Sequence, residues 1–170
     1  LQTEKISGLE ALLRWVHPKF GMIPPMEFIS LAEQTGLINS IGAWVLETAC
    51  AQVVRWKRMG LGNLRIAVNL SVVQLRNPGM VGQVERILKA TGIDARQVEL
   101  EITESVTTKE PDYIIRVLND LKQLGVSIAI DDFGTEYSSL NRLKMLPVDR
   151  LKMDMQFVRG IDQSPKDQAI

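Results

Sequence analysis

The 170-residue chain has one cysteine and one histidine. Cys50 alone can build neither a disulfide framework nor a thiolate metal site within the chain, and its place in a helical pattern predicts a core thiol. His17, followed by Pro18 in an expected loop, excludes imidazole zinc sites and Ser-His-Asp triads. An excess of either charge is also lacking. Lys plus Arg and Asp plus Glu number 20 each, so no net field draws the chain to a nucleic-acid polymer or an anionic membrane, and any phosphate recognition must be local. No apolar run approaches a membrane span, and Leu1-Gln2-Thr3-Glu4 has neither the basic start nor the apolar stretch of a signal peptide. The expectation is a cytoplasmic segment without direct membrane contact, with room for it to be the cytoplasmic part of a larger membrane-bound or multidomain protein. No glycine-rich dinucleotide fingerprint or phosphate loop follows any candidate strand.

What is present is ordinary globular composition, 45% hydrophobic and 24% charged, arranged as strands alternating with helices. Lys5 to Val16 starts like a strand, with Glu10 as its polar anomaly. Pro24-Pro25 opens a helix with Phe28, Leu31 and Ala32 on one face and Gly36 past its end. A second helix from about Ser40 to Met59 carries Ile41, Val45, Ala49, Val53 and Trp56 at helical spacing. Leu64 to Ser71 reads as a strand, with Asn77 and Pro78 as the cap and first position of the next helix, whose stripe is Val81, Val84 and Leu88. Val98 to Glu104 alternates strictly, with Leu100 and Ile102 on one face; in a half-exposed strand Glu99, Glu101 and Thr103 would be solvated on the other. Pro111 starts a helix with Ile114, Leu118 and Leu121. Ser127 to Ile130 is a buried strand ending in Asp131-Asp132-Phe133-Gly134. A helix from Tyr137 to Met145, a strand from Val148 to Asp154 and a helix start at Ser164-Pro165 complete the pattern. Such an alternation implies a mostly parallel sheet, either doubly wound or an incomplete barrel of the TIM type.

Polar groups recur at successive strand ends: Glu10, Asn69, Glu101, Asp131 with Asp132, and Lys152 with Asp154. In a parallel sheet these ends share one side, and in a barrel they converge. Burying two adjacent carboxylates without a partner costs several kcal/mol, roughly, and a cation is the simplest remedy. An isolated Asp-Asp-x-Gly is more readily the start of a loop with an Asx-turn, and Lys152 as readily a solvated lysine. Taken together, carboxylates and an amide without sulfur or imidazole suit Mg2+ or Mn2+, and a two-metal arrangement of that kind suits phosphodiester hydrolysis.

The motifs Gly8-Leu9-Glu10-Ala11-Leu12-Leu13-Arg14-Trp15, Asn69-Leu70-Ser71, Leu100-Glu101-Ile102-Thr103-Glu104, Asp131-Asp132-Phe133-Gly134-Thr135 and Leu151-Lys152-Met153-Asp154 occur in the order found in EAL domains. The chain therefore resembles the EAL family of bacterial phosphodiesterases acting on cyclic di-GMP. The resemblance implies a TIM-like α/β barrel, incomplete at both ends within residues 1–170, lacking a strand before Glu10 and two after Lys152. It implies a metal held by Glu10, Asn69, Glu101 and Asp131, with Asp131 bridging to a second metal that Asp132 helps hold. Lys152 would contact the attacking water, with Asp132 and Glu10 completing the catalytic set; Leu12, Arg14 and Asp154 would contact substrate; Glu104 and Thr135 would support the loop after Asp132. It also implies a homodimer formed through the loop and helix around residues 133–145. Glu136 departs from the family's usual glycine in that loop. The expected function is metal-dependent hydrolysis of cyclic di-GMP to linear pGpG; the alternatives are a weak or inactive domain serving as a cyclic di-GMP receptor, or a dimerisation module.

Overall fold

A computed structural model of the chain describes residues 6–107, 111–134 and 144–158. Among these residues the strands are β1 (Gly8–Ala11), β2 (Trp15–His17), β3 (Gly21–Ile23), β4 (Arg65–Leu70), β5 (Val98–Thr103), β6 (Ser127–Phe133) and β7 (Arg150–Met153). The principal helices are α1 (Pro25–Thr35), α2 (Ile38–Arg58), α3 (Val72–Leu75), α4 (Met80–Thr91) and α5 (Pro111–Gln123). Thr135, Glu136, the expected helix from Tyr137 apart from Lys144 and Met145, and the Ser164-Pro165 helix start lie outside the described residues.

β1, β4, β5, β6 and β7 form one sheet in that order, and every neighbouring pair is parallel. The strands follow chain order with no reversal, whereas a doubly wound sheet reverses at its switch point. The sheet is thus an arc of a TIM-like barrel. Its register is staggered in the same sense: Glu10 pairs with Ala67, two residues short of Asn69, and Glu101 pairs with Ala129, two short of Asp131. That stagger tilts the strands, as barrel closure requires.

The sheet's outer face carries the core. Val68, Leu100 and Ile128 lie side by side in register and pack in one cluster with Cys50 and Val53 of α2, Val84 of α4 and Leu118 of α5, all at most 1% exposed. Each fully buried branched side chain contributes about 1.5–3 kcal/mol. Burial pushes the Cys50 thiol up to about 12, the inert core cysteine expected. Gly36 and Gly92 end α1 and α4 in the left-handed conformation.

Several expectations need correction. Leu31 is 56% exposed, because α1 buries only the narrow stripe of Phe28 and Ala32. Asn77 does not cap a helix at Pro78: its side chain accepts from Gly79 N–H and its carbonyl from Met80 N–H, making a separate turn before α4. His17 is not in a loop but ends β2, which pairs with β3 as an antiparallel hairpin; its Nδ1 accepts from the Lys19 and Phe20 amides across the turn. Above all, Glu99 and Glu101 are not solvated but 5% and 1% exposed. β5 is covered on both faces, on one by aliphatic side chains and on the other by ionic ones.

Candidate metal centre

The inner face is built from the residues that alternate with the core: Glu10 on β1, Asn69 on β4, Glu101 on β5, Asp131 on β6 and Lys152 on β7. Carboxylate oxygens of Glu10, Glu101 and Asp131 all lie within 4.8 Å of one another. Asn69 joins them, its side-chain amide donating to Glu10 Oε1 at 2.8 Å. Lys152 Nζ stands among the three carboxylates, 2.8 Å from Glu101, 3.1 Å from Asp131 and 3.7 Å from Glu10. The structure therefore gathers these five sequence-predicted residues on one rim.

A bulge delivers the aspartates. Ile130 pairs with Leu151 and Phe133 with Met153, so the two residues Asp131 and Asp132 face the single residue Lys152. Asp132 has φ 52°, the left-handed region that aspartate tolerates better than most residues. In a regular strand adjacent side chains point to opposite faces. The left-handed residue breaks that alternation, and Asp132 responds to the inner-face charges. Partial desolvation, then the charges of Asp131 and Asp154, raise its carboxyl above the ordinary aspartate range.

The electrostatics of the other groups follow from burial and crowding. Desolvation pushes the Glu101 carboxyl up; Lys152 opposes this, while Glu10 and Asp131 add to the rise. For Lys152 burial pulls downward, but hydrogen bonds to Glu101 and Asp131 outweigh it and hold the ammonium above its ordinary range. Among the described residues Lys152 thus pairs with three carboxylates at once. Glu101 Oε2 is buried and has no hydrogen-bond partner among the described residues. A buried carboxylate oxygen without a donor is costly, and this one borders a set of hard oxygen donors. The residues present fit a divalent cation of the Mg2+ or Mn2+ type.

The supporting residues are placed less uniformly. Glu104, 4% exposed, accepts from the Gly134 amide at 3.0 Å, tying the end of β5 to the turn after Asp132. Leu12 and Arg14 line a cavity of about 500 Å3 together with Asn69 and Thr103, and Arg14 donates to the carbonyl of Leu13. Asp154 accepts from the Gln156 amide at 2.7 Å and so caps the helical turn that follows. Thr135 is not among the described residues. Sequence reasoning missed Arg150, whose guanidinium meets buried Glu99 one layer below the carboxylate cluster. Their shared spacing with Lys152 and Glu101, two residues along each strand, was the available signal.

The family model for the EAL domain matches residues 1–170. The chain belongs to the EAL domain family. It is 45% identical over 163 residues to the bifunctional diguanylate cyclase/cyclic di-GMP phosphodiesterase MucR of Pseudomonas aeruginosa, covering 96% of this chain and 24% of that protein. With cyclic di-GMP phosphodiesterase PdeR of Escherichia coli K12 it shares 39% identity over 166 residues, 98% of this chain and 25% of that protein. The solved MucR phosphodiesterase in complex with c-di-GMP superposes with a TM-score of 0.87 at 44% identity, over 96% of this chain and 66% of that one. The chain thus spans about a quarter of the length of these curated relatives. Among the described residues no helix is long and apolar enough to cross a membrane.

Proposed function

We propose that the chain is part of an EAL domain that hydrolyses cyclic di-GMP to the linear dinucleotide pGpG, using Mg2+ or Mn2+. The observation that carries this reading is the cluster of Glu10, Glu101 and Asp131 oxygens within 4.8 Å, bordered by the unpartnered buried Oε2 of Glu101. A receptor that only held the nucleotide would have no need of a buried, under-neutralised acid at the sheet's rim. Similarity to proteins named cyclic di-GMP phosphodiesterases supports the same substrate.

Glu10, Asn69, Glu101 and Asp131 would hold the cation, and Asp132, on the bulge, would contribute to a second one. When bound, such an ion supplies positive charge to the phosphate and lowers the pKa of a bound water. The chain's own residues do the rest. Lys152 orients the attacking water from its place between Glu101 and Asp131, with Asp132 and Glu10 completing the catalytic set. Arg14 offers forked donors to a substrate phosphate at the cavity it lines, with Leu12 and Asp154 as further substrate contacts. Glu104 and Thr135 hold the loop after Asp132, and the segment around residues 133–145 forms a homodimer contact. The chain works in the cytoplasm, within a longer signalling protein and without membrane contact of its own.

The test is to incubate the intact protein with cyclic di-GMP and Mg2+, Mn2+ or Ca2+ and to quantify pGpG. Turnover is expected with the first two and little with Ca2+, whose longer, looser coordination misplaces the water. Nucleotide binding without cleavage in any ion would overturn hydrolysis in favour of a receptor.

A further inference from the structure

Below the carboxylate rim the inner face holds a second ionic layer that the proposed chemistry does not use. Glu99 precedes Glu101 by two residues on β5, and Arg150 precedes Lys152 by two on β7, so each pair shares a face at a rise of about 7 Å. Arg150 Nη1 donates to Glu99 Oε1 at 3.0 Å. The bridge crosses β6 diagonally, from the level of Ser127, which pairs with Glu99, to that of Ala129, which pairs with Arg150 and is fully buried. Only a small side chain there lets β5 acids reach β7 cations across the intervening strand. The contacts Glu99–Arg150 and Glu101–Lys152 are thus two rungs of one arrangement.

Stability does not account for the lower rung. The Arg150 side chain is 43% exposed while that of Glu99 is 7% exposed, and Glu99 Oε2 has no hydrogen-bond partner among the described residues. A half-exposed cation compensates a buried acid poorly, and such pairs are often neutral or worse than apolar replacements. Position does account for it. Lys152 lies opposite the bulge, where the β6–β7 ladder loses its regular register, so the ladder alone does not fix its ammonium. The regular part of β7 begins at Arg150, beside Asp149, which exchanges hydrogen bonds with Ile128.

We propose that Glu99 and Arg150 are a positioning pair for Lys152: their bridge across Ala129 fixes the register of β7 just before the bulge, and so sets where the lysine ammonium stands among Glu10, Glu101 and Asp131. This inference rests on the hydrolase reading for its catalytic consequence, but not for its structural one. The intact protein is compared with Glu99→Leu, Arg150→Met, the double variant and Arg150→Lys. Hydrogen exchange of the Arg150–Met153 amides should speed up roughly tenfold in each single variant and no further in the double, since both remove one bridge. Unchanged exchange overturns the pair's role. In the turnover assay kcat should fall about tenfold with KM within about twofold, the double variant matching the singles, and Arg150→Lys should recover most of the loss. Full kcat in variants whose β7 exchanges faster also overturns the proposal, as does an unchanged kcat loss in Arg150→Lys. A parent protein that cleaves nothing defeats the hydrolase reading alone, and the exchange measurement then decides the pair.

Discussion

The two faces of β5 are buried to the same degree by opposite chemistry. Leu100 on the outer face is 0% exposed and Glu101 on the inner face 1%. Leu100 is surrounded by aliphatic side chains from the sheet and helices. Glu101 meets two other acids and one ammonium, and one of its oxygens has no partner among the described residues. The outer face contributes folding free energy through apolar area removed from water. The inner face spends some of it to hold charges where a cation and a phosphate can use them. Burial alone therefore does not say what a residue is for; the chemistry of its neighbours does.

Substitution at Glu101 should separate the faces most sharply. Glu101→Gln keeps the volume and removes the charge, and turnover should fall on the order of 10³-fold, about 4 kcal/mol in barrier height. In metal-free protein the loss of Lys152's partner is offset by relief of a desolvated charge, so thermal melting should barely move. Near-normal turnover would break the comparison.

Leu100→Ala is the mirror experiment. A cavity in the outer core should cost about 2–5 kcal/mol of unfolding free energy, measured by urea titration, while the folded fraction retains its metal affinity. A small loss of stability would mean that the outer face carries less of the fold than its packing implies.

The pH dependence sharpens the contrast further. Glu101 and Asp132 have carboxyls raised above the unfolded value. Folded protein then binds more protons than unfolded between those two values, so their contribution is present at low pH and lost as pH rises through the raised range. Asp149 works in the opposite sense. Its own desolvation raises it, but the Lys122 and Ile128 hydrogen bonds outweigh that and lower it, so its contribution is lost as pH falls. Metal ligands must be deprotonated. Chelated protein should therefore lose inner-face stability as pH rises out of the ordinary carboxylate range and through the raised one, and added Mn2+ should raise the melting temperature more at the higher pH. An equal metal effect at the lower and the higher pH would count against the cluster as the binding site.

The smallest expected effect lies at the bulge. Asp132→Asn keeps a residue that tolerates positive φ, whereas Asp132→Val places a β-branched side chain there and should cost about 1–2 kcal/mol more. Equal melting of the two would show that the left-handed turn relaxes freely.

Much of this was legible because strand alternation and chain order are written directly in the residues. Glu10, Asn69, Glu101, Asp131 and Lys152 recur at strand ends, and a parallel sheet in chain order brings strand ends together. The burial of Glu99 and Glu101 was not legible: alternation separates two faces but does not say whether water or protein covers the second. Asp131-Asp132 reads the same in a regular strand as in a bulge, since only backbone dihedrals distinguish them. The hairpin of β2 and β3 escaped because three-residue strands leave too little pattern. Leu31 was misassigned because helical spacing marks a stripe without giving its width.

The order of the strands has a consequence for how the molecule is made. Each strand of the sheet emerges after its neighbour, so the outer core can grow unit by unit during synthesis. Glu10, Glu101 and Asp131 all leave the ribosome before residue 152, and among the described residues no other cation is recorded against all three of them. Until β7 docks, the nascent rim holds mutually repelling acids, and a divalent ion can stand in for the lysine. Refolding of the chain should therefore be faster in Mg2+ than in chelator, most of all for Lys152→Met, making the same ion an aid to assembly before it is an aid to chemistry.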